Sequence, residues 1–212
     1  MVMLRRLIIL LAFIPATMAS AHPHVFVDVS LRFLSDTKGR LTGVEVTWSY
    51  DDFFSLLVLE DRGLDPDGDM VLTEKERAAL MGFDLEYWEP GFEGALFLYD
   101  AGEKLSLGAP EATHASMEGG RIVTRHIRPV DPVVATNLTV RPYDPSYYAA
   151  LDLIEVAGLP EVCETEIIQP DTDAADAKVE TLGGVGVEAV YEEVQVGIYY
   201  ADELRVTCAP SS

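Results

Sequence analysis

Residues 25–50, VFVDVSLRFLSDTKGRLTGVEVTWSY, decide the fold. Apolar and polar residues alternate from Val25 to Phe33 and again from Leu41 to Tyr50. Each run therefore offers one face to a core and one to water. Between them Asp36-Thr37-Lys38-Gly39 has turn chemistry, and the three pieces together predict an antiparallel hairpin. Short apolar runs follow at 94–99, 104–107, 112–117, 121–128 and 136–141, separated by Gly, Pro and Asp. That spacing predicts an α+β chain, mostly antiparallel β in a sandwich-like arrangement, with one helical insert over 51–82. Asp51 reads as the N-cap of a helix through Glu60, with Phe54, Leu57 and Val58 on one face. The segment 170–187 (PDTDAADAKVETLGGVGV) is acidic and Gly-rich, in keeping with a mobile loop or a short helix with a flexible tail. Gly197 to Cys208 reads as a last strand or extended segment.

Residues 1–21 have the make-up of a signal peptide. Arg5 and Arg6 precede an apolar core from Leu7 to Ile14, and Ala19-Ser20-Ala21 supplies small residues for cleavage after Ala21. The core falls short of the ~20 residues of a membrane span, so the mature chain, 22–212, is expected to be one exported domain without a span. In an oxidising compartment the only two cysteines, Cys163 and Cys208, are expected to pair. No CxxC spacing and no nearby histidine favour a metal or redox role for them.

Charge narrows the partners. The leader holds two of the fifteen basic residues and none of the 36 acidic ones, so the mature chain carries 13 − 36 = −23. Such a field repels nucleic acid and anionic membrane surfaces and attracts cations. No GxSxG, HExxH or phosphate-cradling glycine loop with lysine is present, and the chain is not expected to be an enzyme.

The insert contains LDPDGDMVLTEKE at 64–76. Counted from Asp65, carboxylates fall at positions 1 (Asp65), 3 (Asp67), 5 (Asp69) and 12 (Glu76) of an EF-hand-like loop, with Val71 at 7 and Thr73 at 9. Calcium takes six to eight oxygens, and this spacing supplies them, with the Val71 carbonyl and a bidentate glutamate closing the shell. Position 6 is Met70 where the pattern has glycine, which costs about 1–2 kcal/mol if the turn needs positive φ. A competing reading is an acidic turn before a helix capped by Thr73 and Glu76.

His22-Pro23-His24 would open the mature chain. Side chains at i and i+2 of an extended chain share a side, roughly 6.6 Å apart, so both imidazoles are placed to converge on one ion. Cleavage after Ala21 would add the α-amine of His22, a nitrogen set suited to copper, nickel or zinc. Asp28 has the same parity but lies about 13 Å further on. The other histidines, His114 and His126, flank the Met117–Gly120 turn. They meet across a three-residue loop and miss each other across a two-residue one, and sequence leaves that register open.

AHPHV after the leader, TWSYDDFFS at 47–55, the LDPDGD loop, YDPSYY at 143–148 and the late cysteine pair together resemble the domain-of-unknown-function family 1007, over residues 21–208. That family is described as an uncharacterised periplasmic component of ABC-type transport systems. The resemblance implies a periplasmic location and a nickel/cobalt- or zinc-type membrane transporter as partner. His22 and His24 match the family's HPH opening, and the acidic loop matches except at Met70. Three functions follow as expectations. The first is a metal-binding accessory that captures or delivers a transition ion for that transporter. The second is a copper-dependent enzyme built on the N-terminal histidine. The third is a calcium-stabilised protein-interaction module.

Overall fold

The computed structural model describes residues 22–86, 88, 92–182 and 194–209. The expected leader, 1–21, lies outside them, as do 183–187 of the Gly-rich segment. In chain order the elements are β1 (Val25–Ser35), β2 (Leu41–Tyr50), α1 (Asp52–Arg62), α2 (Glu74–Leu80), β3 (Leu96–Asp100), β4 (Glu103–Leu105), β5 (Glu111–Glu118), β6 (Arg121–Val133), β7 (Asn137–Pro142), β8 (Ala149–Ala157), β9 (Cys163–Ile168), α3 (Thr172–Leu182) and β10 (Glu203–Cys208). Short 3-10 turns lie at Phe83–Leu85 and Val196–Tyr200.

The quoted hairpin is the centre of the first sheet, whose order is β5-β6-β2-β1-β8. Its register sets Val29 opposite Trp48, Leu31 opposite Val46 and Phe33 opposite Val44, so the inward residues of both strands coincide. The second sheet runs β4-β3-β7-β10-β9. Leu98, Val140, Leu204 and Val206 from it share one core with Val29, Val46 and Ile122 from the first. Full burial of each such side chain contributes about 1.5–3 kcal/mol. Among the described strands only β1 and β8 pair in parallel, so the expected mostly antiparallel, helix-bearing architecture holds.

β8 and β9 were not legible as strands. In β8 only Leu151 and Leu153 are fully buried, with Ala149 and Val156 packed at the margin of the core. Asp202 accepts the Leu153 N–H at 2.7 Å, which satisfies part of that strand's free edge. The run from Gly197 to Cys208 divides into a 3-10 turn and β10. A Cβ on Gly197 would fall 1.8 Å from the Asp144 carbonyl oxygen, so the chain here packs on the 143–148 turn instead of extending. Cys163 and Cys208 stand opposite each other in β9 and β10 and form a disulfide.

Asp51 caps α1 by accepting the Phe54 N–H at 2.8 Å on one carboxylate oxygen, and the Phe26 N–H at 2.9 Å on the other. Gly63 ends the helix in the left-handed region, φ 61°. Ser55 and Leu59 form the buried face, flanked by the partly buried Phe54 and Val58. Leu57 is 45% exposed, contrary to the face expected from sequence. Two residues from Ser55 on a 3.6-residue turn, it points away from the sheet. The Ser55 hydroxyl accepts the Ile122 N–H at 2.8 Å and docks α1 onto the start of β6. Within the acidic segment, α3 buries Ala175 and Val179, and Val179 packs with Tyr147, Val196 and Tyr200 in a small second cluster. Among the described residues no helix is long and apolar enough to cross a membrane.

Candidate metal centre

His22 and His24 sit where β1 begins beside the turn that precedes β8. The His24 and Val25 amides both donate to the Tyr148 carbonyl, at 2.8 and 3.2 Å. The His24 ring lies against Tyr148, centroids 4.9 Å apart. The His22 and His24 rings are 4.8 Å apart at 64°. The turn under them is built by Asp144, which accepts the N–H groups of Ser146 and Ala149, each at 3.0 Å, and the Ser146 hydroxyl. YDPSYY is thus a scaffold for the N-terminal pair. Asp28 is committed elsewhere, in an ion pair with Arg121 at 2.5 Å.

The acidic loop links α1 to α2. Carboxylate oxygens of Asp65, Asp67 and Asp69 lie within 4.8 Å of one another. Asp65 accepts the N–H groups of Asp69 and Met70, each at 3.1 Å, and Asp69 accepts that of Val71 at 2.8 Å. Glu76 reaches back to the Asp65 N–H at 3.2 Å and to the Thr73 N–H at 2.8 Å. Thr73 and Glu76 complete a capping box at the start of α2. The capped turn and the carboxylate cluster therefore coexist, because Glu76 spans both. Met70 has φ 61°, the left-handed region that glycine occupies at this loop position. The Asp69 charge raises the Asp67 carboxyl above its usual range, with burial adding to the shift. The Thr73 hydroxyl and amide hold Glu76 below its own.

His114 and His126 are not brought together. The β5–β6 turn is the two-residue Gly119-Gly120, both at positive φ, and it pairs Glu118 with Arg121. His114 then stands opposite Arg125 and His126 opposite Ala112, so the two rings leave opposite faces of the sheet. His114 Nε2 lies 3.0 Å from the Ser116 hydroxyl, which donates to Glu118 at 2.9 Å.

His126 is 1% exposed, and neither ring nitrogen has a hydrogen-bond partner. Trp48 packs edge-on at 4.7 Å and Trp88 at 6.4 Å. Burial first, and the Arg128 charge second, lower its pKa to about 4. Arg128 is itself buried, donating to the carbonyls of Gly108 at 2.9 Å and Glu93 at 2.8 Å under a stacked Trp88. Next along β6, Thr124 donates to Asp84 at 2.6 Å, and Tyr50 donates to the same oxygen at 3.0 Å. Burial pushes the Asp84 carboxyl up, against those two bonds, and pushes the Tyr50 phenol well up. This buried polar row escaped the sequence reading. Its signal was the parity of RIVTRHIRPV, which puts Thr124, His126 and Arg128 on the same side as Ile122 and Val130.

A family model described as protein of unknown function (DUF1007) matches residues 7–208. No curated protein matches the chain. The solved structure of Biomphalaria glabrata acetylcholine-binding protein type 1 aligns over 93% of this chain and 90% of its own, at 10% identity and a TM-score of 0.33. That likeness is too slight to carry any statement about ligand or fold.

Proposed function

We propose, from the premise that the chain belongs to the DUF1007 family, that it is a periplasmic metal-binding accessory. It captures or delivers a divalent transition ion, nickel, cobalt, zinc or copper, for a membrane transporter. The observation that carries this reading is the His22–His24 pair, two imidazoles 4.8 Å apart at the chain's expected mature start. Neutral imidazole is a good ligand for these ions, and small rotations about χ1 and χ2 turn two such rings onto one metal. A disulfide is compatible with the export that this role requires.

Calcium in the acidic loop is the second part of the proposal. Three carboxylates crowd together there, and Met70 already holds the left-handed turn. An ion at this place joins α1 to α2 and has a structural role. If the loop alone binds metal, the protein is a calcium-stabilised interaction module instead. Competition against a chromophoric chelator separates the two readings. The processed protein is expected to withdraw one equivalent of zinc or nickel per site, and the H22A/H24A variant to withdraw none. Equal withdrawal by both proteins would refute the histidine site.

A further inference from the structure

We propose a binding site for a small zwitterion, of the α-amino acid class, on the outer face of the first sheet. A cavity of about 220 Å³ lies there, and its lining includes Ser30 and Arg32 of β1, Glu45 and Thr47 of β2, Arg125 of β6 and Glu155 of β8. It falls below the roughly 300–1,000 Å³ of most ligand pockets, so its occupant is small. The strand register builds this lining. Arg125 stands opposite Thr47, Thr47 opposite Ser30, and Ser30 beside Glu155, one row across four strands. The row depends on a bulge. The β1–β8 pairing slips by one residue after Val29, which leaves Ile154 without a ladder partner and sets Glu155 beside Ser30. An unbroken ladder would put Ile154 there. Bulges re-aim side chains in this way and are concentrated next to functional sites.

The row is dipolar. The Arg125 guanidinium has no hydrogen-bond or ion-pair partner among the described residues, and neither have the Glu155 carboxylate and the Ser30 and Thr47 hydroxyls. A guanidinium without a partner is unexpected in a chain with fifteen basic residues and 36 acidic ones. Beside the row, Arg32 and Glu45 form an ion pair at 3.5 Å and neutralise each other. One positive charge on β6 and one negative charge on β8 remain, with two hydroxyls between them. A simple anion would meet Glu155, and a simple cation would meet Arg125. A ligand carrying both a carboxylate and an ammonium satisfies the two ends together. Its carboxylate takes the planar fork of Arg125, its ammonium donates to Glu155, and the hydroxyls bond either group. The outer strands of the row are about 14 Å apart, a span that two side chains and one small ligand bridge. The site is separate from the histidine pair, since Ser30 lies about 20 Å beyond His24 along an extended strand.

Two-dimensional proton–nitrogen NMR on the processed protein tests this, with EDTA present so that chelation at the histidines cannot mimic binding. L-alanine, L-serine and L-glutamine are titrated, each beside its N-acetyl and its carboxamide derivative, which keep a single charge apiece. The expected result is saturable shifts at the amides of Ser30, Thr47, Arg125 and Glu155 with at least one free amino acid. Both of its derivatives should bind about tenfold more weakly or worse, the worth of one charge-assisted hydrogen bond. Arg125→Ala and Glu155→Gln should each cost about the same, with the rest of the spectrum unchanged, and Arg125→Lys should recover part of the loss. Equal binding of the N-acetyl derivative would overturn the proposal in favour of a plain anion site. Equal binding of the carboxamide would overturn it in favour of a cation site. No saturable shift with any amino acid, or shifts that survive Arg125→Ala, would remove the site and leave the histidine reading untouched.

Discussion

Lowering the pH should destabilise this protein through one residue, His126. In the folded chain its pKa is about 4, against an ordinary 6.5. The unfolded chain therefore takes up a proton first as pH falls, and the folded state resists it. Stability is lost from about pH 6.5 down to about pH 4 and levels off below, as far as this group is concerned. At 1.36 kcal/mol per pKa unit, the 2.5-unit difference gives about 3.4 kcal/mol, and a 1%-exposed ring needs little discount for solvent screening. Trp48 and Trp88 flank the ring and report unfolding by fluorescence in urea. His126→Leu removes the titration and also two unpartnered nitrogens. At pH 7 it should match the wild type or exceed it by about 1–3 kcal/mol. Subtracting the two pH profiles cancels the carboxylates, including Asp84. A difference that grows by about 3 kcal/mol between pH 6.5 and 4 is the expected outcome. Parallel profiles would refute the claim that a buried neutral imidazole sits there.

Three further outcomes can be checked with the same urea titration. Calcium at 10 mM should raise stability by about 1.4–2.7 kcal/mol, for a dissociation constant of 10⁻³–10⁻⁴ M, and Asp65→Asn with Asp67→Asn should abolish the gain. Met70→Gly should stabilise the folded chain by about 1–2 kcal/mol, equally with and without calcium, by relieving the left-handed residue at φ 61°. Reducing the disulfide should cost about 4 kcal/mol, from the chain entropy of a 45-residue separation. Separately, Asp51→Ala should cost about 1–3 kcal/mol, because it removes the α1 cap and the acceptor for the Phe26 amide together, while Asp51→Asn keeps the cap. A loss within 0.5 kcal/mol for Asp51→Ala would show that solvent replaces both bonds.

Much of the fold was legible because its central hairpin is long and half-buried. Nine alternating positions fix β1, and a one-residue slip would turn Val29 and Leu31 to water. β8 was hidden because only two of its side chains are fully buried, and its parallel partner is more than a hundred residues away in sequence. The histidines divide the same way. Local spacing was enough to bring His22 and His24 together. His114 and His126 depended on a turn length and on a bulge between Ala112 and His114, which only the folded register settles. The buried row of Thr124, His126 and Arg128 was marked by strand parity. Its partners Asp84, Trp88 and Glu93 come from the irregular segment after α2, which has no period to read.

Native mass spectrometry of the processed protein, offered Ca²⁺, Zn²⁺, Ni²⁺ and Cu²⁺ in turn, tests the central claim most directly. A transition ion retained by the wild type and lost in H22A/H24A is the predicted result, with calcium binding unchanged between the two. Calcium retained alone, with no transition ion held by either protein, would contradict it.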